Sequence, residues 1–295
     1  VDNRPIYNSD SDRVLVFGAP TNAYVFTNVD GGSSFNASFS VQRNWNNTFV
    51  KLSYNYLNAT DVMSIDAEIS GDAYDRNPAN IAHTNRALVS PSLYGNRHRI
   101  VGVASKTFEW SEKTATTVSL FFEYAEGNRY SYTYSGDINN DGSGLNDLIY
   151  VPTDAQIDEM TFAGTTGNAQ ASALKAYIAQ DDYLSSRRGD YTEKYGALSP
   201  WYNTWDVRIL QDISIPKSDN KLQVSVDILN IGNLISSSWG VRQFATGTSL
   251  AQPIGVSVAD GEPTYSFDAA QTTTFFNDFS VNSRWRMQLG LRYSF

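Results

Sequence analysis

Seven stretches of this chain alternate apolar and polar side chains with a period of two, and the connections between them alternate short and long. The last stretch shows the pattern most plainly. Trp285, Met287, Leu289, Leu291, Tyr293 and Phe295 fall on one parity, and Arg286, Gln288, Gly290, Arg292 and Ser294 fall on the other. Successive side chains of a strand point to opposite faces, so this is a strand with one apolar and one polar face. A helix would spread both sets around its circumference. The same alternation predicts strands through Phe35, Ala37, Phe39 and Val41, and through Val50, Leu52, Tyr54 and Tyr56. Further strands run through Val118, Leu120, Phe122 and Tyr124, through Trp205, Val207, Ile209 and Ile213, and through Leu222, Val224, Val226 and Ile228. One more, over residues 99–105, has ambiguous parity because Ile100, Val101 and Val103 are all apolar.

The connections after Val41, Ser105 and Ile213 are short: Asn44-Trp45-Asn46-Asn47, residues 107–114, and Pro216-Lys217-Ser218-Asp219-Asn220. Those after Tyr56, Tyr124 and Ile228 are very long. The second long connection has a helix-forming segment over residues 169–185, with an apolar stripe at Leu174, Tyr177, Ile178 and Leu184. The third has strand pieces at 240–245 and 255–258. Ahead of the first strand, residues 1–34 offer two weak strands, at 13–17 and 23–27, and the turn signal Asp30-Gly31-Gly32. Each strand taken alone also fits a half-buried sheet of a soluble protein. The sorting of the loops favours a membrane barrel, with short periplasmic turns at one rim and long extracellular loops at the other. Structureless loops beyond about 15 residues count against an ordinary compact domain.

The fold class is therefore expected to be all-β: an antiparallel transmembrane β-barrel segment of about seven strands with long extracellular loops. Seven does not match the even strand numbers of single-chain bacterial barrels. Either a weak strand within residues 1–34 makes the eighth, or the chain is part of a larger wall whose open edges need partners.

Composition fits this reading. No stretch approaches the roughly 20 apolar residues of a spanning helix, and mean hydropathy is −0.37. Barrels show such averages because their lumen and loops are polar. Aromatic residues make up 13% of the chain, which suits a protein rich in sheet and interface. The lack of cysteine removes disulfide, thiol and Cys-metal chemistry. A net charge of −9, with no Lys/Arg tract, argues against nucleic acid as a partner. The chain opens at Val1 with neither an initiator Met nor a signal peptide, and is expected to be a processed or partial product.

The segment Tyr130-Ser-Tyr-Thr-Tyr-Ser-Gly-Asp137-Ile-Asn139-Asn-Asp141-Gly142-Ser-Gly144-Leu-Asn-Asp147-Leu-Ile-Tyr150-Val-Pro152 resembles TonB-dependent outer-membrane receptors of the Oar-like group. Matches follow in order: Tyr183-Leu-Ser-Ser-Arg187-Arg188-Gly189-Asp-Tyr191, Pro200-Trp201 and Trp205-Asp206-Val-Arg208-Ile-Leu-Gln211-Asp212. Then come Asp227-Ile-Leu-Asn230-Ile-Gly-Asn233-Leu234, Trp239-Gly240 and the terminal strand; Asn96-Arg97-His98-Arg99 resembles the family's His-Arg strand start. The resemblance covers residues 35–295. It implies a 22-stranded barrel preceded by a plug domain and an energy-coupling peptide, neither of which these residues supply. It further implies location in a bacterial outer membrane and contact with its lipids. The implied partners are the remaining strands and plug of the same receptor, TonB-type coupling through the absent N-terminal part, and surface lipoproteins. Transport of a large nutrient, a scaffold role without transport, and a calcium-stabilised β-rich surface adhesin stay open, because one scaffold serves many functions.

Asp137-x-Asn139-x-Asp141-Gly142 has the opening of a calcium loop, with oxygen ligands at alternate positions and a glycine for the sharp turn. The Glu that would close a twelve-residue loop is replaced by Leu148; Asp147 stands one residue early. The candidate Ca2+ ligands are therefore Asp137, Asn139, Asp141 and Asp147, with an ion-free Asp/Asn/Gly turn as the alternative. His83 and His98, the only histidines, fit rim or loop positions rather than a triad or zinc site. No catalytic motif is present and no enzymatic activity is expected. Arg187, Arg188, Asp190, Glu193 and Lys194 form a charged run that reads either as solvated surface or as loop–loop ion pairing over a pore. Lys51, Arg208, Lys221, Arg286 and Arg292 are expected on the polar face with Glu123, Asp206, Asp212 and Asp227.

Overall fold

A computed structural model describes residues 2, 4–7, 15–16, 19–20, 24–64, 67–78, 86–245 and 249–295. Seven long strands carry the architecture: β1 Ser33–Trp45, β2 Thr48–Asp61, β3 His98–Ser111, β4 Thr114–Ala125, β5 Tyr202–Ser214, β6 Lys221–Leu229 and β7 Arg286–Ser294. They pair antiparallel in chain order into one sheet, which the two-residue strand Ser90–Pro91 joins beside β2. All seven lie where the alternation predicts them, and most run further than its clearest residues. The first turn is tighter than Asn44-Trp45-Asn46-Asn47 suggested: β1 runs through Trp45, and Asn46 and Asn47 turn the chain with φ of 42° and 57°. Two such residues match the twist of the flanking strands, and Asn tolerates that backbone. Residues 107–111 likewise belong to β3 rather than to a connection.

No eighth strand from residues 1–34 joins this sheet among the described residues, and residues 13, 14, 17 and 23 of the two weak strands lie outside them. Leu15–Val16 pairs only with Ala19–Pro20, and residues 24–27 lie outside any strand. The sheet is open, with β1 at one edge and β7 at the other.

Register resolves the ambiguous parity of β3. Tyr56 lies opposite His98, Tyr54 opposite Ile100 and Leu52 opposite Gly102, and Ile100 in turn lies opposite Tyr124. The even residues of β3 therefore join the apolar face. Phe122 then meets Trp205, Ile209 meets Val226, and Val226 meets Leu289, so one apolar face runs unbroken across all seven strands. Among the described residues nothing covers it: Phe39 is 69% exposed, Leu52 45%, Leu289 69% and Leu291 74%. The opposite face is polar and linked across strands. Arg99 pairs with Glu123 at 2.7 Å, Arg208 with Asp227 at 3.0 Å, and Gln223 donates to Asp212 at 2.8 Å.

The hydrophobic core lies in the long connections, which all leave the same end of the sheet. Arg129–Tyr132 pairs antiparallel with Ala197–Leu198 and parallel with Leu250–Ala251. A hairpin, Ile254–Ala259 with Glu262–Phe267, packs beside them. Among the described residues these connections also carry five α-helices: α1 Ser70–Asp75, α2 Asp154–Glu159, α3 Gly167–Gln180, α4 Asp182–Ser185 and α5 Ile231–Ile235. The helical stripe at Leu174, Tyr177, Ile178 and Leu184 is buried, against Tyr130, Tyr132, Ile149, Val151, Ile254 and Phe267. The single helix predicted over 169–185 is interrupted at Asp181. Its buried carboxylate accepts the Leu184 N–H at 2.8 Å, capping α4, and the Tyr132 and Thr274 hydroxyls at 2.6 Å each. The strand pieces expected at 240–245 and 255–258 appear as Gln243–Phe244 and within Ile254–Ala259.

Beyond β6, Asn230 adopts φ 53° and donates through Nδ2 to the Gly240 carbonyl at 2.9 Å. A Cβ on Gly240 would lie 1.9 Å from Asn230 Oδ1, so only glycine fits there.

Removing the Asp181 carboxylate strands three donors, two of them on buried hydroxyls of the loop core. Leaving a buried partner unsatisfied costs about 1–3 kcal/mol each. Asp181→Ala should destabilise the loop core by at least about 3 kcal/mol in urea unfolding, and Asp181→Asn, which keeps an acceptor, by clearly less.

Candidate functional site

The segment 137–147 folds as a tight loop around its own carboxylates. Asp137 accepts the Gly142 N–H on Oδ2 at 2.8 Å and the Asp141 N–H on Oδ1 at 3.1 Å. Asn139 Oδ1 accepts the same Asp141 N–H at 2.9 Å, and Asp141 Oδ1 accepts the Ser143 N–H at 2.9 Å. Asx side chains bond backbone two residues on, and here they do so in succession. Asn140, at φ 61°, and Gly142, at φ 94°, supply the left-handed backbone that lets the chain fold back under these bonds. Two amide heads then meet one carboxylate oxygen. Asn139 Nδ2 lies 3.4 Å and Asn146 Nδ2 3.1 Å from Asp141 Oδ2.

Asp137, Asn139 and Asp141 are thus brought together as the alternate spacing predicts. Asp147 adjoins them but is otherwise engaged. Its Oδ2 accepts the Ile138 N–H at 3.2 Å, and its Oδ1 pairs with Arg4 Nη1 at 2.9 Å. Burial pushes the Asp147 carboxyl up to about 7; Arg4 pulls it back, while Asp141 and Asp137 push it further up. Burial also raises Asp137, against the hydrogen bond from Gly142.

Arg4 and Asn146 are residues that the spacing does not reveal. Arg4 is 143 positions from its partner Asp147 and carries no motif. It also donates to the Leu148 carbonyl at 2.6 Å, pairs with Asp2 at 2.9 Å, and lies over the rings of Tyr134 and Tyr191. Asn146 falls between the expected ligand positions. A signal was available in its neighbour, since Asn146-Asp147 places two oxygen-bearing side chains immediately before Leu148, which holds the position of the closing Glu.

The loop is also where distant segments converge. Tyr7 N–H donates to the Asn139 carbonyl at 2.8 Å. From the first long connection, Tyr74 Oη reaches the Asp141 carbonyl at 3.2 Å, and Asp75 Oδ1 accepts the Ser143 hydroxyl at 2.6 Å. From the third, Gln252 donates to the Gly144 carbonyl at 3.3 Å and the Tyr134 carbonyl at 2.6 Å. Beside the loop, a cavity of about 340 Å³ opens between residues 2–6 and the hairpin turn, lined in part by Arg4, Tyr134, Tyr150, Glu159, Glu262 and Tyr265.

Within the charged run at 187–194, Asp190 is exposed while the other charged side chains are engaged. Arg187 pairs with Glu193 and Arg188 with Asp154, both at 2.7 Å. Lys194 is buried and donates to the Val62 carbonyl at 2.6 Å and to Asn77 Oδ1 at 2.5 Å, tying the second long connection to the first. His98 stands at the start of β3, bonded through Nδ1 to Tyr54 Oη at 2.8 Å and stacked near Trp201. His83 lies outside the described residues.

No family model, no curated protein and no solved structure matches this chain.

Burial pushes the Lys194 ammonium down to about 8 from the usual 10.5, against the upward pull of Asp61. A folded-state value below the unfolded one means that holding the charged form costs stability below pH about 8. That cost is relieved as pH rises from about 8 to 10.5. In thermal unfolding across this interval the native chain should gain Tm relative to Lys194→Met, with a constant difference below pH about 8.

Proposed function

We propose that this chain is the C-terminal barrel portion of a TonB-dependent outer-membrane receptor of the Oar-like type. It contributes seven strands and their extracellular loops to a larger wall that takes up a large nutrient. The observation that carries the reading is the bare apolar face of the sheet, beside a hydrophobic core housed entirely in the loops. Soluble monomers rarely expose contiguous apolar patches beyond a few hundred Å². Hydrocarbon is the surrounding in which such a face costs nothing, because a barrel wall in a bilayer is apolar outside and polar inside.

Dimensions agree. A 13-residue strand such as β1 or β5 rises about 3.3 Å per residue. Tilted by about 45° it crosses roughly 30 Å, enough for an apolar band about 25 Å tall. The polar exceptions on the apolar face lie at its two rims: Asn58, His98 and Asn203 at the long-loop end, and Arg43, Lys106 and Gln211 toward the short-turn end. Lys106 Nζ donates to the Asn46 carbonyl at the turn, and Arg43 lies over the Trp45 ring at 5.6 Å. Gln211 is bonded to Thr116 and to the Ala115 carbonyl. Long basic side chains at this depth reach for the interface with their charged heads. At the opposite rim, Tyr54, Tyr56, Tyr124 and Trp205 share the apolar face, as an aromatic girdle would.

Two open edges support membership in a larger barrel, since unpaired strand backbone in a bilayer needs partners. On this reading β1 and β7 pair with further strands of the same receptor, and the polar face meets its plug. Energy coupling enters through parts outside these residues, and the loop layer faces the exterior, where surface lipoproteins would dock. A scaffold subunit without transport would use the same wall. A soluble surface adhesin would leave the apolar face without an occupant.

The full chain should require detergent to stay dispersed, and monodisperse behaviour in plain buffer would sink the membrane reading. Parity gives the sharper test. Val226→Arg places a charge on the apolar face between Ile209 and Leu289. It should cost about 2–4 kcal/mol of folding free energy in bilayers. Ser225→Arg, one residue away on the polar face, should cost little. Equal costs for the two would contradict a lipid-facing wall.

A further inference from the structure

The turn at 137–147 is more than a set of self-satisfied Asx bonds, because one polar group inside it has no partner. Asn146 is 1% exposed, its Nδ2 touches Asp141 Oδ2 at 3.1 Å, and its own Oδ1 is buried without a hydrogen bond. A buried acceptor left unpaired costs stability, and native structures rarely leave one without a reason. The head of this side chain is set against the central carboxylate of the loop. Rotation of the amide about its last bond would bring the orphaned oxygen to the place where the nitrogen now sits, facing Asp141.

Asn139 lies against the same residue, its Oδ1 accepting the Asp141 N–H at 2.9 Å. Asn139 directs its amide to the same Asp141 oxygen, at 3.4 Å. The carboxylate oxygens of Asp137 and Asp141 each accept bonds from the loop's own N–H or amide groups. A carboxylate oxygen carries about two lone-pair sites. Asp141 Oδ2 is filled by the two amides until Asn146 rotates, while Asp141 Oδ1 accepts the Ser143 N–H and keeps a site for a further partner. No three carboxylate or imidazole side chains form a metal group among the described residues. The donor set is instead two carboxylates and two amides.

We propose that this loop binds one calcium ion through oxygen atoms of Asp137, Asn139, Asp141 and Asn146. Asn146 supplies the closing side-chain oxygen in place of a Glu, and water completes the coordination. All-oxygen donors on a flexible, glycine-bearing turn suit calcium, which takes six to eight oxygens in adaptable geometry. Magnesium demands a stricter octahedron at shorter distances. With two carboxylates and no bidentate acid, affinity belongs in the weak range of extracellular modules, with Kd about 0.1–1 mM. Asp147 stays with Arg4 as the tether of residues 2–7. The role of the ion is mechanical. The loop already gathers Tyr7, Tyr74, Asp75 and Gln252, so calcium would fasten the N-terminal segment and the long connections at one junction. None of this depends on what covers the apolar face of the sheet.

The test is isothermal titration of the full chain in detergent micelles, after chelator treatment, with calcium chloride and separately with magnesium chloride. The native chain should bind one calcium ion, at least tenfold more tightly than magnesium, and its loop core should melt at a higher temperature with calcium present. Asp141→Asn keeps the side chain's shape and should weaken binding at least tenfold. Asn146→Asp, which adds a charge at the proposed ligand, should tighten it several-fold. Asp158→Asn, an exposed change on α2, should leave it unaltered. No calcium heat from the native chain, or one that neither Asp141→Asn nor Asn146→Asp changes, would overturn the proposal. If Asp141→Asn does not fold, a Kd unmoved by Asn146→Asp is sufficient to overturn it.

Discussion

The whole structure depends on an apolar sheet face that none of the described residues covers. In a soluble two-layer protein the sheet would supply one side of the core and a helix or second sheet the other. Here the helices sit in the loops, among tyrosines that have little to do with the sheet. Backbone pairing and cross-strand contacts alone hold the seven strands together. Phe122 stacks on Trp205 at 4.7 Å, and Arg99 and Arg208 pair with acids on the neighbouring strand. Such a sheet needs something apolar outside it and further strands at its edges.

The loop layer behaves by the opposite logic. It is built like a small globular domain, with an aromatic core and polar anchors placed where the chain changes direction. Asp181 breaks one helix into two and satisfies three donors in doing so. Lys194 is sunk between two connections and donates to both the Val62 carbonyl and Asn77, a contact made against the cost of desolvation. The 137–147 turn joins four separated segments. Long connections therefore do not imply loose ones; their buried side chains fix them against each other more tightly than the sheet fixes its own exposed face.

Much of this was legible in the residues. The seven strands, their order and their two-faced character follow from period-two alternation, which only an extended chain converts into faces. The helix-forming stretch with Leu174, Tyr177, Ile178 and Leu184 was legible for the same reason at a different period. The alternate oxygens of Asp137, Asn139 and Asp141 could be seen because a tight turn makes neighbours of nearby residues. The parity of β3 could not be read, because Ile100, Val101 and Val103 are apolar on both faces and only pairing with Tyr54 and Tyr124 assigns them. The break at Asp181 was hidden because an acid inside a helical stretch looks like a solvated residue until Tyr132 and Thr274 are brought to it.

The sequence by itself determined local periodicity, turn positions and which side chains share a face, since these depend on residues a few positions apart. Tertiary structure alone decided where the core lies, which edges stay open and which groups meet across long separations. Arg4 finds Asp147 from 143 positions away, and Lys194 finds Val62 and Asn77 from more than a hundred. No spacing rule reaches that far, because such contacts are set by the packing of whole connections. The same holds for Asn146, whose unpaired oxygen acquires meaning only once the folded loop has closed around it.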